Sequence, residues 1–287
     1  MFRYALLIAL LLPSLKGMAA DLSLSAPPSI GTAVMLQVTE VPDGARLTGH
    51  FHGKPLPFTA NHRALLALDM EAKPGSVLLQ VELHLPQGPK EVLTKTFLVP
   101  PRTYREEPLT LPKTQVELEP ETAARAAQET ATITATYSRR GGRVGYEEGF
   151  QLPVTGRFSG VFGSRRILNG KPRKPHNGTD IAAPQGTPVV AIASGEVALR
   201  GEEYFFTGNT LVLDHGDGVL SLYAHLESMA VQPGEWVAAG TPIGTLGKTG
   251  RATGPHLHWS VMVRQDRVDP QLLPGILPAT ASAAALQ

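Results

Sequence analysis

The stretch TGPHLHW at residues 253–259 decides how this chain is interpreted. It places a His-x-His pair at the start of an apolar run from Leu257 to Val263, which predicts a strand. Residues two positions apart on a strand point to the same side, with Cα atoms about 7 Å apart. His256 and His258 are therefore predicted to stand side by side, so that one can bind a metal ion while the other reaches the ion's open coordination position.

A second motif upstream supplies further ligands. His176 and Asp180 would lie roughly 13 Å apart on a straight strand, too far to share one ion. The Asn177-Gly178 pair between them is a turn signal, so the chain can fold back there, and Pro175 argues against a helical pairing. With His258 these residues would provide two imidazoles and one carboxylate, the number of ligands expected at a catalytic zinc that keeps one position for water.

Three motifs carry a resemblance to a known family. His176-x-x-x-Asp180, the run YAHL at 223–226 and the run GPHLH at 254–258 resemble, in order and spacing, the signatures of the lysostaphin-type (LytM-domain) zinc metallopeptidases. The resemblance covers about residues 158–270. It implies one Zn²⁺ per chain held by His176, Asp180 and His258, with His225 and His256 as the catalytic pair. It also implies an antiparallel β catalytic domain that hydrolyses peptide cross-links of bacterial peptidoglycan, so that peptidoglycan peptide stems would be the partner.

The whole chain is predicted to be mainly β and to fall into five segments. The predicted segments are a signal peptide at 1–20, an immunoglobulin-like β module at 21–99, a linker with a short helix at 100–157, the zinc metallopeptidase domain at 158–273 and a loose tail at 274–287.

The two middle segments rest on local patterns. In the N-terminal module, short apolar runs separated by Pro- and Gly-containing turns predict a small sandwich of two sheets. The linker is rich in proline, which predicts a semi-rigid spacer between the two modules. Pro120 begins a predicted helix that runs to about Ala131, because the residues from Thr132 onward are β-branched.

Composition limits the function classes. The 287 residues carry a formal net charge of +1, which argues against a nucleic-acid partner, and contain no cysteine, which excludes disulfides and a lipid-modified N-terminal cysteine. Arg3, the apolar run at 4–15 and the small residues at 17–20 predict a signal peptide. The protein is therefore expected to be exported, to the periplasm or the cell envelope, with no stable membrane span after cleavage; an uncleaved anchor is the alternative.

The chemistry needs two proton transfers, and the sequence offers two histidines for them. Zinc lowers the pKa of bound water to about 7, and histidine, with a pKa near 6.5, suits both removal of the water proton and protonation of the departing amine. No His-Glu-x-x-His motif is present, so no glutamate base of that kind is available. The sequence leaves open whether His225 or His256 is the base; we favour His256 because it neighbours the predicted ligand His258.

Several residues are weaker candidates. Tyr223 lies two positions before His225 and either lines the cleft or packs in the core, whereas Arg166 either meets a substrate carboxylate or is solvated surface charge. His215 in its hairpin turn is predicted to be structural.

A second function remains open. A non-catalytic LytM-type regulator or binder of cell-wall hydrolases could keep the fold, although such proteins usually lose ligands and none is missing here. The domain order also raises the hypothesis that the N-terminal module or the linker covers the cleft and inhibits the enzyme intramolecularly.

Overall fold

A computed structural model describes residues 20–109, 118–172 and 174–276. The predicted signal peptide apart from Ala20, and the part of the predicted tail from residue 277 onward, lie outside the described residues. Residues 274–276, which were predicted to belong to the loose tail, are helical. Within the described ranges, no helix is both long enough and apolar enough to cross a membrane.

Seven strands form the N-terminal module. They are β1 (Asp21–Leu24), β2 (Thr32–Thr39), β3 (Arg46–Phe51), β4 (Lys54–Pro55), β5 (Arg63–Leu68), β6 (Gly75–His84) and β7 (Glu91–Val99). They pair in two antiparallel sheets, β1-β2-β5 and β4-β3-β6-β7. Alternate residues of β6, including Val77, Leu79 and Val81, are buried against side chains of the other sheet such as Leu36 and Leu66. The two-sheet sandwich follows from this alternation; its immunoglobulin-like character stays a prediction.

The segment between the modules contains a strand and a helix. The strand is β8 (Glu106–Leu109), and the helix, α1, spans Pro120–Thr136 with proline at its first turn. The helix extends past the predicted end at Ala131, so that boundary was wrong. Ile133 packs against Val212 and Leu222 of the following sheet, and this tertiary contact outweighs the low helix propensity of the β-branched run.

The remaining strands build the C-terminal domain. They are β9 (Arg157–Gly160), β10 (Arg165–Leu168), β11 (Lys171–Pro172), β12 (Thr179–Ala182), β13 (Pro188–Val190), β14 (Gly195–Tyr204), β15 (Gly208–Asp214), β16 (Val219–Met229), β17 (Trp236–Val237), β18 (Pro242–Leu246), β19 (Leu257–Val263) and β20 (Asp266–Val268). A 3₁₀ turn (Pro270–Leu272) and a short helix α2 (Leu273–Ile276) follow them.

One large antiparallel sheet positions the site. Its order is β17-β14-β15-β16-β19-β12-β9, with β13, β18 and β20 paired at its margins. The predicted strand from Leu257 to Val263 is confirmed as β19, and the predicted hairpin around residues 214–218 is confirmed as the β15–β16 turn. The mainly β, antiparallel class is thus confirmed. The one parallel pairing among the described strands joins β8 to β10, and with β11 these form a separate small sheet.

The two modules pack directly against each other. Arg267 of β20 forms an ion pair of 2.6 Å with Asp69, and its carbonyl accepts a hydrogen bond from the backbone N–H of Met70. Met35 and Leu65 of the N-terminal module belong to the same apolar cluster as the residues of β19. The prediction that the linker spaces the modules apart was therefore wrong, because apolar side chains and ion pairs join the two modules directly.

Candidate metal and catalytic site

Three predicted ligands meet at one point. Antiparallel pairing of β12 with β19 places Asp180 directly opposite His258, and the chain bends at Gly178, between His176 and Asp180. His176 Nε2 lies 3.1 Å from Asp180 Oδ1 and 3.0 Å from His258 Nδ1, and His258 Nδ1 lies 2.9 Å from Asp180 Oδ1. Three ligand atoms held about 2.0–2.1 Å from one ion have separations of about this size.

The donor chemistry of these atoms fits a cation. The Nδ1 of His176 is 3.0 Å from the Val161 carbonyl, which can only accept, so this nitrogen carries the hydrogen and Nε2 offers a lone pair. Burial alone would raise the pKa of Asp180, but hydrogen bonds with His176 and His258 outweigh it and hold that pKa well below its usual value. The carboxylate is therefore ionised, and this group of three residues could hold a metal ion.

Two glycines leave room for the predicted ligands because they have no side chain. Gly160 of β9 lies opposite Asp180, and a Cβ there would collide with the Asp180 carboxylate. A Cβ at Gly178 would fall 2.9 Å from Cε1 of His258 and clash with the Trp259 carbonyl. Sequence reasoning missed Gly160; the available signal was a glycine inside a short strand, which often marks the close approach of another group.

The linker supports the loop that carries His176. Gly163 donates its N–H to the His176 carbonyl at 2.8 Å, and His176 donates its own N–H to the Ser164 carbonyl at 2.9 Å. The ring of Tyr104 lies against Gly163, where a Cβ would overlap it, and contacts Phe162 edge-on at 6.2 Å between ring centroids. Tyr104, a residue of the predicted linker, therefore packs against the loop that carries His176.

His225 and His256 lie beside the ligands. Their ring centroids are 4.7 Å apart, and the ring of His225 is 6.4 Å from that of His258. His225 Nδ1 is 2.8 Å from the Thr249 carbonyl, and His256 Nδ1 is 2.8 Å from the Gly254 carbonyl. Because carbonyls only accept, both rings carry their hydrogen on Nδ1 when neutral, which leaves Nε2 able to accept a proton.

The backbone and environment of His225 set it apart. Its φ of 63° is left-handed, a conformation that costs a non-glycine residue about 1–2 kcal/mol and is concentrated at functional positions. Burial lowers its pKa to about 4, so its ring is neutral at pH 7. The Thr249 carbonyl that orients it is fixed in turn by the Thr249 hydroxyl, which accepts from Asn209 N and donates to the Leu226 carbonyl. Sequence reasoning missed Thr249.

Tyr223 lies in the core and not in the cleft. Its side chain is completely buried, and its hydroxyl accepts a hydrogen bond from Ile192 N–H at 3.1 Å and is hydrogen-bonded to Ser221 at 3.0 Å. Since no part of it reaches solvent, the expectation that it binds substrate is corrected to packing. Ser221 also lies 2.7 Å from Nε2 of His215, whose Nδ1 donates to the Ser194 carbonyl at 2.8 Å, as a structural role requires.

Arg166 is the other residue predicted to bind substrate. Arg166 belongs to β10, and its side chain lies outside the described part of the structure. Its neighbour Arg165 is exposed and donates its backbone N–H to the Arg105 carbonyl at 2.8 Å. His50 and His52 are exposed in the N-terminal module, away from the three ligands.

The site lies inside a recognised domain. Residues 174–270 match the model of peptidase family M23, and this range contains all five residues of the motifs. The chain carries an M23 peptidase domain. Its resemblance to the lysostaphin-type metallopeptidases is thereby confirmed at the level of the family.

Similar proteins include named wall enzymes. The chain is 42% identical over 109 residues to the peptidoglycan DD-endopeptidase ShyA of Vibrio cholerae, an alignment covering 38% of this chain and 25% of that protein. It is 41% identical over 132 residues to the DD-carboxypeptidase/endopeptidase Mpg of Neisseria meningitidis, covering 45% of this chain and 30% of Mpg. The chain thus spans less than a third of the length of these relatives.

A solved structure matches over more of the chain. A Pseudomonas aeruginosa protein assigned to peptidase M23 aligns with 89% of this chain and 97% of its own, at 29% identity and a TM-score of 0.64. This alignment extends well beyond the M23 domain, so the arrangement of strands before residue 174 is shared as well.

Proposed function

We propose that the chain is an exported zinc metalloendopeptidase that hydrolyses peptide cross-links in bacterial peptidoglycan. The observation that carries the proposal is the meeting of His176, Asp180 and His258 within about 3 Å of one another, with two further imidazoles alongside. The names of ShyA and Mpg support the substrate class. Export rests on the predicted signal peptide.

The residues divide into ligands and proton carriers. His176, Asp180 and His258 would hold zinc, which when bound lowers the pKa of water to about 7 and polarises a peptide carbonyl. His256 and His225 each present an Nε2 that accepts a proton in the neutral ring. We assign His256 as the base, because burial lowers the pKa of His225 and makes that ring a poor proton acceptor at neutral pH. His225, kept neutral and oriented by Thr249, would pass a proton on readily once it has received one.

Metal content and product analysis test the proposal together. Purified protein should carry about one zinc per chain, lose activity when dialysed against a chelator and recover it with added zinc. Mass spectrometry of digested sacculi should show muropeptides in which one cross-linking peptide bond has been hydrolysed. His258→Ala should remove both the metal and the activity. Zinc-loaded protein that leaves cross-linked muropeptides intact would contradict the enzyme and favour the non-catalytic regulator.

Intramolecular inhibition remains a separate proposal. Arg267 of the M23 domain forms an ion pair with Asp69 of the N-terminal module. Arg102, in the segment that follows this module, forms an ion pair with Asp269 of the M23 domain. If that arrangement limits access to the cleft, Arg267→Gln should raise the cleavage rate of sacculi more than that of a small soluble muropeptide. Equal rates before and after the substitution would argue against inhibition.

A further inference from the structure

Helix α1 lies outside the residues that match the M23 family model, yet two of its side chains hold a turn of that domain. The turn, at residues 205–207, joins β14 to β15. Glu129 accepts a hydrogen bond from the Phe205 N–H at 2.7 Å, and Arg125 donates one to the Glu203 carbonyl at 2.5 Å. The helix therefore holds this end of the hairpin by its backbone, at one N–H and one carbonyl.

The carboxylate of Glu129 is fully used in this contact. Only 14% of its side chain is exposed, and a carboxylate so covered needs partners for its oxygens. Oε1 accepts from Nε of Arg125 at 2.7 Å, and Oε2 accepts from the Phe205 N–H. The helix has a separate apolar anchor on the sheet at Ile133. The bond to Phe205 thus fixes the turn to a helix that other residues already pack in place.

The end of the β14–β15 hairpin is irregular. The register of the two strands shifts between Gly201 and Tyr204, and Glu203 has a left-handed φ of 52°. A register shift of this kind interrupts the regular ladder of hydrogen bonds between two strands. The strands themselves therefore constrain the turn less than they constrain the rest of the hairpin, so a contact from outside contributes more to its position.

The same turn holds the backbone of His225. The carbonyl of Thr207 accepts a hydrogen bond from the His225 N–H at 2.8 Å. His225 lies where the register of β16 against β15 shifts, between Tyr223 and Leu226. Its N–H therefore finds its acceptor in the turn and not in the regular ladder.

The turn also contacts the loop that orients the ring of His225. The Phe206 carbonyl accepts the Arg251 N–H at 3.1 Å, and the guanidinium of Arg251 lies 4.4 Å from the centroid of the Phe206 ring. A Cβ at Gly208 would collide with Thr249, so the two backbones are in close contact. Thr249 carries the carbonyl that accepts from Nδ1 of His225. The hydrogen bonds of the His225 N–H and Nδ1 thus end on the turn and on the loop packed against it.

We propose that Glu129 is a positioning residue for His225 and acts through the β14–β15 turn. Its carboxylate fixes the Phe205 N–H, the turn fixes the backbone of His225, and the adjoining loop fixes its ring. Such support matters because a displacement of about 1 Å at a reacting group can cost about 10²-fold in rate. The catalytic part of this inference rests on the proposed function, whereas the coupling of Glu129 to His225 does not. The two parts are therefore tested by separate measurements.

Amide hydrogen exchange, followed by NMR on zinc-free full-length protein, tests the coupling. Glu129→Ala removes a hydrogen bond to a charged group, so the His225 N–H should exchange about tenfold faster relative to amides inside β19. Glu129→Gln keeps an acceptor oxygen for the Phe205 N–H and should stay within about threefold of the parent. Glu121→Ala is the matched control, because Glu121 is exposed on the same helix, about 12 Å before Glu129. Unchanged exchange in Glu129→Ala, or an equal change in Glu121→Ala, would overturn the proposal.

Cleavage of a soluble cross-linked muropeptide by zinc-loaded protein tests the catalytic part. Glu129→Ala should lower kcat about tenfold while KM and zinc affinity stay within about twofold, because only the proton-transfer step needs His225 in place. Glu129→Gln should restore most of the rate. Arg125→Ala, at a side chain that is 59% exposed, removes the second contact to the turn and should act in the same direction by a smaller factor.

The outcomes separate this inference from the proposed function. A melting temperature within about 5 °C of the parent confirms that each variant is folded. An unchanged kcat in both Glu129→Ala and Arg125→Ala would overturn the positioning role, and so would a fall in Glu129→Gln as large as that in Glu129→Ala. A parent protein that cleaves no muropeptide would contradict the proposed function instead, and the exchange rates of the His225 N–H alone would then decide the coupling.

Discussion

Strand β16 runs beside two histidine sites of opposite kind, one around His215, which precedes the strand, and one that includes His225 of the strand itself. In its first half, Ser221 and Tyr223 surround the ring of His215, and every ring nitrogen and hydroxyl there has a partner inside the protein. Near its second half, His225 and His256 use only Nδ1 in hydrogen bonds among the described residues. Both His215 and His225 are buried, and burial lowers the pKa of each to about 4.

The difference teaches which property marks a functional histidine. His215 and His225 are both buried and both have a pKa lowered to about 4, so neither burial nor pKa distinguishes these two histidines. The distinction lies in the unused acceptor atoms, since Nε2 of His215 is satisfied by Ser221 whereas Nε2 of His225 remains able to accept a proton.

Asp180→Asn should give the largest effect on the catalytic region. The substitution keeps the shape but removes the negative charge that the two imidazoles surround. We expect loss of stoichiometric zinc and a fall in the rate of muropeptide cleavage of at least about 10³-fold, because the metal supplies several kcal/mol of transition-state stabilisation. Zinc titration and cleavage kinetics measure the two effects. Cleavage within tenfold of the parent would contradict the assignment.

His225→Gln should separate catalysis from metal binding. General acid–base groups contribute about 10²–10⁴-fold to rate, so cleavage should fall by that factor. The zinc affinity should change little, since His225 is not among the three clustered ligand atoms. His52→Gln, an exposed residue of the N-terminal module, serves as the control. A loss of zinc in His225→Gln would place this ring among the ligands and undo the division of roles.

Titration of His215 should change how the free energy of unfolding depends on pH. Burial lowers the pKa of His215 from 6.5 to about 4, so the unfolded chain binds more protons between these values. The free energy of unfolding should therefore be constant from this source above pH 6.5 and fall as the pH drops, by roughly 3 kcal/mol near pH 4. Urea denaturation of metal-free protein measures it. His215→Gln should show a shallower decline; an identical slope would mean that His215 does not titrate as described.

Gly160→Ala should weaken zinc binding by displacing Asp180, which lies opposite Gly160. The added methyl group would collide with the Asp180 carboxylate and displace it from the two imidazoles. We expect zinc affinity to fall about 10–100-fold, as when other supporting residues of metal sites are changed. Gly142→Ala is the matched control, because a Cβ at Gly142 meets nothing within 4 Å and its φ is not positive. Equal zinc affinity in both variants would show that β9 does not constrain Asp180.

Thr249→Val should produce the smallest effect. It removes the hydroxyl that holds the loop carbonyl facing His225, at a cost of about 1 kcal/mol for a typical hydrogen bond. Cleavage should fall about fivefold with zinc affinity unchanged, and Thr249→Ser should restore the rate. Failure of serine to restore it would attribute the effect to the methyl group instead of the hydroxyl.

Sequence patterns predicted local elements well and long-range contacts poorly. The strand from Leu257 to Val263 and the hairpin at residues 214–218 follow from local periodicity and turn chemistry. The pairing of Gly160 with Asp180 joins residues twenty positions apart, and no local pattern specifies it. Likewise, α1 extends past Ala131 because of packing around Ile133, and Tyr223 is buried because Ile192 and Ser221 take its hydroxyl.

Zinc affinities of five single variants test the central claim most directly. Alanine is substituted in turn at the residues of the three motifs, and the dissociation constant of zinc is measured by competition with a chromophoric chelator. The account predicts that the variants of His176, Asp180 and His258 lose tight binding, whereas those of His225 and His256 retain it within about tenfold. Tight binding retained by any of the first three, or lost by either of the last two, would contradict it.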